Sequence, residues 1–176
     1  MQNENKGQCV LVDYIILYGD KENILFIADK HKYRNYVFDL ISLLSKEYGV
    51  ISQRIPFIHN LFVIENIFLG LMSKYSLSLS QCYQRFKNVI DWLGINDLLW
   101  LAPKDLTSLE LFKCMLVRAL TMDSKIIFID GISLEEFELS LELLRFLDKD
   151  NFLWILTEKE NNFLDNVEGF KKVYLN

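Results

Sequence analysis

Glycine and proline are scarce, with seven of one and two of the other in 176 residues. No Gly- or Pro-rich linker, low-complexity tract or internal repeat divides the chain, which reads as one domain spanning 1–176. Histidine is scarcer still. His31 and His59 stand alone in the sequence, too isolated for a metal site, and each reads as a surface or loop residue. Cysteine is limited to Cys9, Cys82 and Cys114. An odd number without a CxxC pair speaks against a disulfide framework or a zinc site and makes a reducing cytosol the default. Positive charge is not in excess, since the formal net charge is −5. That excludes a nucleic-acid binder that works by neutralising phosphates. No apolar run approaches the roughly 20 residues that span a bilayer. The polar stretch Met1–Gln8 has no signal-peptide core. No direct membrane insertion is therefore expected.

Apolar side chains are plentiful, at 51% of the chain with 14% aromatic. Such a chain can offset the entropy of ordering with a buried core. Strands are predicted at Cys9–Leu17 and Asn23–Ala28, with a turn at Gly19-Asp20 between them. Val37, Leu40, Ile41 and Leu44 fall at helical spacing, and a short strand is predicted over Val50–Ser52. Helices are predicted over Leu61–Tyr75 and Ser80–Leu93, the second stopped by Gly94. Thr107, with Glu110 three residues on, has the form of a capping box before a helix over Ser108–Leu120. Lys125–Ile129 reads as a buried strand ending in Asp130. An amphipathic helix at Leu134–Leu147 and strands at Phe152–Leu156 and Val173–Leu175 complete the pattern. Continuous apolar strands alternating with helices predict an α/β fold, its sheet mostly parallel and covered on both faces.

A more specific pattern is carried by order and spacing. LTSLELFKCMLVRAL (Leu106–Leu120) ends in Arg118, Ala119 and Leu120, and the strand KIIFID (Lys125–Asp130) follows. LWILTEK lies some twenty-five residues further on. Upstream, Gln53 follows a short strand and precedes NLFVIENIFLGL (Asn60–Leu71). Together these segments resemble the Q-loop, signature helix, Walker B strand and switch strand of ATP-binding-cassette proteins. The resemblance covers roughly Asn23 to Lys159. It implies a P-loop-NTPase-like fold with an α/β core over 1–60 and 104–176, an inserted helical subdomain over 61–103 and an abbreviated N-terminal part.

The same alignment shows what the chain lacks. A P-loop needs glycines whose amides wrap phosphates, a lysine, and a hydroxyl for magnesium. Here the segment reads ADKHKYRNY: Ala28 and Tyr33 replace the glycines, Arg34 the lysine and Asn35 the hydroxyl residue. Lys32 and Arg34 read as a solvated basic turn. Gly131 stands where hydrolysis needs a carboxylate, and Glu158 where the family has its switch histidine. In the signature, Thr107 keeps a hydroxyl, whereas Ser108, Leu109 and Glu110 replace two glycines and a glutamine. Thr107 reads as an N-cap, and Asp130 as a cap for the loop after its strand. Arg34, Asn35, Gln53, Thr107, Ser108, Asp130 and Glu158 are thus vestigial site positions. No catalytic residue, metal ligand or cofactor is expected, and ATP and magnesium binding are expected to be lost or weak.

The expected role is a catalytically inactive cassette subunit of a membrane-associated transport complex. It would pair with an active or identical cassette subunit and with a transmembrane subunit, cytoplasmic and peripheral at the inner face of the membrane. Gln53, Phe57, Phe62 and Phe68 are the docking candidates, with Phe57 expected outside the core. The alternatives are a weak ATP-binding or ATP-hydrolysing subunit and a soluble regulatory module not tied to a transporter.

Overall fold

The computed structural model describes residues 22–30, 48–147, 151–158, 162–164 and 167–175, with single positions at 33, 37, 41, 44 and 45. The strand predicted at Cys9–Leu17 and the turn at Gly19-Asp20 lie outside the described residues, as does the question of an abbreviated N-terminus. Two compact units are present. One comprises Met1–Val50 with Lys125–Asn176, and the other Ile51–Ser124.

The first unit is built on a sheet. Its strands are β1 (Asn23–Ala28), β2 (Gly49–Ile51), β3 (Ile126–Asp130), β4 (Phe152–Glu158) and β5 (Phe170–Leu175). Their spatial order is β2-β3-β4-β1-β5. The β1–β4, β1–β5 and β3–β4 pairs are all parallel. This is the parallel α/β sheet expected from the run of apolar strands. Ile24–Phe26, Ile126–Ile129 and Leu153–Leu156 are almost wholly removed from water. Burying each such side chain contributes about 1.5–3 kcal/mol, which is why these strands do not alternate apolar with polar. Trp154 fills the centre, with its ring edge-on to Phe26 at 5.8 Å and its indole N–H donating to the Glu22 carbonyl. Asn23 Oδ1 accepts from the Leu153 amide at 2.8 Å and fixes the register where β1 begins. The helix Leu134–Leu147 starts at Ser133, whose amide donates to Glu136 Oε2 at 2.8 Å. Tyr33, Val37, Ile41 and Leu44 are helical, and Val37 and Leu44 are buried, as their spacing predicts.

The second unit is helical: α1 (Val63–Tyr75), α2 (Leu79–Leu93) and α3 (Ser108–Leu120). The helix Leu134–Leu147 of the first unit is α4. The second unit is wider than the 61–103 span read from the sequence, because α3 packs on both α1 and α2. Capping sets the bounds of α2 and α3. Ser78 Oγ accepts from the Gln81 amide while Gln81 returns a bond to the Ser78 amide. Thr107 and Glu110 do the same, as their spacing predicts. The Thr107 amide and hydroxyl hold the Glu110 carboxyl below its ordinary pKa.

The C-termini of α1 and α2 differ in one residue type. Both end in the left-handed region, α2 at Gly94 (φ 65°) and α1 at Ser76 (φ 54°). A side chain in that region costs about 1–2 kcal/mol, and glycine avoids most of it. Ser76→Gly should therefore stabilise the chain by about 0.5–1 kcal/mol, and Gly94→Ala should destabilise it by about 1 kcal/mol. In urea unfolding the two midpoints should move in opposite directions at unchanged slope. A loss of stability in both variants would refute this account of the α1 terminus.

Candidate functional site

In an open parallel sheet, ligands bind outside the carboxyl ends of the strands. The register puts Ala28 beside Glu158 and Asp130 beside Leu156. The ends of β1, β4 and β3 thus form one edge, carrying Ala28, Asp130 and half-buried Glu158.

Lys30 and Tyr33 are already helical, and the Tyr33 amide donates to the Asp29 carbonyl at 2.9 Å. An amide committed to a helical turn does not face an anion. Arg34, Asn35 and Lys32 lie outside the described residues. The side chain of Tyr33 reaches the neighbouring motif. Its hydroxyl donates to Asp130 Oδ1 at 2.5 Å. Asp130, expected to cap the loop after β3, here accepts a long-range bond from a residue 97 positions away in the chain. The loop itself is fastened by the Gly131 amide, which donates to the Leu156 carbonyl at 3.0 Å.

Gly131 has φ 71°, and a Cβ built there would lie 3.3 Å from the Tyr33 hydroxyl. Both facts disfavour a side chain at 131. Of the nearby acids, Glu135 is exposed and Glu136 is tied to the Ser133 amide, so both serve the start of α4. No group of three or more His, Cys, Asp and Glu among the described residues is placed to hold a metal ion.

The remaining positions lie in the second unit. Thr107 and Ser108 open α3, and Thr107 is engaged in its cap. Gln53 is an exposed turn residue. Phe57 is a correction. It was expected outside the core, but only 3% of it is exposed. The Arg118 guanidinium lies 4.8 Å over its ring. Arg118 also donates to the Ile55 carbonyl at 2.7 Å and the Pro56 carbonyl at 3.4 Å. Burial pushes its pKa down to about 10, which leaves it charged at neutral pH. Phe68 is fully buried, 5.9 Å from Phe86 by ring centroids. Of the three phenylalanines named as docking candidates, Phe62 alone is exposed, at 47%. It packs edge-on against Trp100, itself 61% exposed.

Two residues that sequence reasoning read only as family markers prove to shape this segment. Arg118 holds the 55–57 loop. Asn66, buried, donates to the Ile58, Leu61 and Phe62 carbonyls and accepts from the Ile58 amide at 2.6 Å. A polar residue at a buried helical position was the available signal for Asn66, and a cation on the apolar face of α3 was the signal for Arg118.

Comparison with known proteins follows from this geometry. No family model and no curated protein matches the chain. Solved structures do. The dimeric structure of MJ0796, a bacterial ABC transporter cassette, superposes with a TM-score of 0.65 at 17% identity, covering 88% of this chain and 81% of that one. The fold is that of an ATP-binding cassette. A dimeric post-hydrolysis state of the ATP-binding cassette MJ0796, bound to ADP and Pi, gives a TM-score of 0.69 at the same identity and coverage. No helix among the described residues is long and apolar enough to cross a membrane.

Asn66 offers a test with a pH signature. Asn66→Asp keeps an acceptor for the Ile58 amide but turns a carboxylate toward three carbonyl oxygens. The introduced group should titrate above the ordinary value of about 3.9, because its charged form is disfavoured in the folded state. The folded state then binds more protons than the unfolded one, so stability falls as pH rises through that window. The variant should be closest to wild type near pH 4 and about 2–3 kcal/mol less stable at pH 7. Equal destabilisation at both pH values would contradict the assigned hydrogen bonds.

Proposed function

We propose that this chain is a cassette-type subunit that does not hydrolyse ATP and acts through its surfaces. In this reading it pairs with an active or identical cassette subunit and docks on a transmembrane subunit, peripheral at the inner face of the cytoplasmic membrane. The observation that carries the reading is the bond from the Tyr33 hydroxyl to Asp130. It puts an internal donor on the carboxylate that, in P-loop enzymes, serves the magnesium ion. The residues at this edge fit a magnesium nucleotide poorly: the Tyr33 amide is spent on Asp29, and Gly131 offers no carboxylate to orient water. Pairing is supported by the dimeric state of the superposed cassettes.

The docking face is assigned to exposed apolar residues of the second unit. Ile58, Phe62, Leu69, Trp100 and Leu101 are each at least 39% exposed. Phe62 and Trp100 touch, and the Leu101 carbonyl accepts from the Val63 amide, which places them together at the start of α1. Exposed aromatics of this kind are typical interface anchors. Phe57, buried under Arg118, gives up that role to Phe62.

Two measurements test the reading. Purified protein should release no phosphate from ATP above a no-enzyme control. Turnover that disappears in Asp130→Ala would favour the weak-ATPase alternative. Phe62→Ala, with its far-ultraviolet circular dichroism unchanged, should weaken binding of a membrane-embedded partner about thirtyfold, since an aromatic anchor contributes about 2 kcal/mol. Unchanged binding in Phe62→Ala and Trp100→Ala alike would remove the docking face.

A further inference from the structure

β1 and β3 do not pair with each other, because β4 lies between them. The turn after β1 and the end of β3 are nevertheless joined, by a side chain that crosses the end of β4: Tyr33 donating to Asp130. In P-loop enzymes these two places are joined through a bound ion, held by the P-loop hydroxyl on one side and the Walker B aspartate on the other. Here the residues do not fit that arrangement, and a protein group makes the same link.

We propose that Tyr33 is an internal brace that takes over the linking role of the magnesium nucleotide, and that Gly131 is the residue that makes room for it. Three observations bear on this. The hydroxyl sits at hydrogen-bonding distance from a carboxylate oxygen, and bonds to a charged acceptor are the stronger kind. Tyr33 is itself positioned by its amide, which is fixed to Asp29 directly after β1. The adjoining residue has no side chain, and a Cβ there would press on the same hydroxyl at 3.3 Å. Loss of the P-loop glycine and loss of the hydrolytic carboxylate are then one structural event. A tyrosine that fills the turn requires a small residue at 131. A carboxylate placed at 131 alone would press on the brace and strain a backbone at φ 71°, so the site is not re-armed by one substitution.

The proposal rests on the reading above in taking this edge as no longer a phosphate site. Its test needs no nucleotide: uncoupled losses would remove the brace, whereas ATP turnover would remove that reading. Urea unfolding of the full chain would be measured for wild type, Tyr33→Phe, Asp130→Ala and the double variant. Tyr33→Phe should lower the folding equilibrium constant about tenfold. The double variant should be about tenfold more stable than the product of the two single effects, because the shared bond is lost only once. Losses that multiply without coupling would overturn the brace. Should Asp130→Ala not fold, Gly131→Ala is compared in the wild-type and Tyr33→Phe backgrounds. The brace requires the alanine to be tolerated several-fold better once the hydroxyl is gone. Equal cost in both backgrounds would overturn it.

Discussion

The parallel register of β1, β4 and β3 is the constraint on which the rest of the first unit depends. Buried on nearly every residue, these strands are covered on both faces, in a register that sets Trp154 beside Ile24 on one side and Phe128 on the other. That alignment brings Ala28, Asp130 and Glu158 to a common edge although up to 130 residues separate them in the chain. It also sets Tyr33 within reach of Asp130. What the edge can do chemically follows from what stands there: a committed amide, a tyrosine hydroxyl on the aspartate and a glycine beyond it.

The second unit obeys a different logic. Its helices are held by caps and by two polar residues that serve backbone rather than ligand. Asn66 ties the loop to the start of α1 through the Ile58, Leu61 and Phe62 carbonyls and the Ile58 amide. Arg118 ties down the turn after Ser52 through the Ile55 and Pro56 carbonyls. Both belong to segments that resemble cassette motifs, and both have structural work that is independent of nucleotide. Contacts of this kind hold a fold that superposes on an ADP-bound cassette with a TM-score of 0.69 at 17% identity.

Much of this was legible in the sequence. The apolar runs at Lys125–Ile129 and Phe152–Leu156 announced parallel strands, and Thr107 with Glu110 announced the start of α3 to the residue. β4 and β5 run longer than expected, because Glu158 and the lysines of Phe170–Leu175 pair through backbone, which carries no hydropathy signal. Phe57 was misjudged for a related reason. A loop residue has no periodicity to phase it, and the cation that covers it lies more than sixty residues away. The link between Tyr33 and Asp130 was hidden as well. Sequence reasoning saw the tyrosine as bulk in a turn, since a partner 97 residues distant is fixed only by the sheet order.

The central claim is that the strand-end edge is closed by the protein's own tyrosine and takes no magnesium nucleotide. Isothermal titration calorimetry of the full chain with magnesium-ATP tests it most directly. The account predicts no saturable heat up to about millimolar nucleotide, a free energy of association weaker than about −4 kcal/mol. A stoichiometric isotherm with a dissociation constant near a micromolar would contradict it.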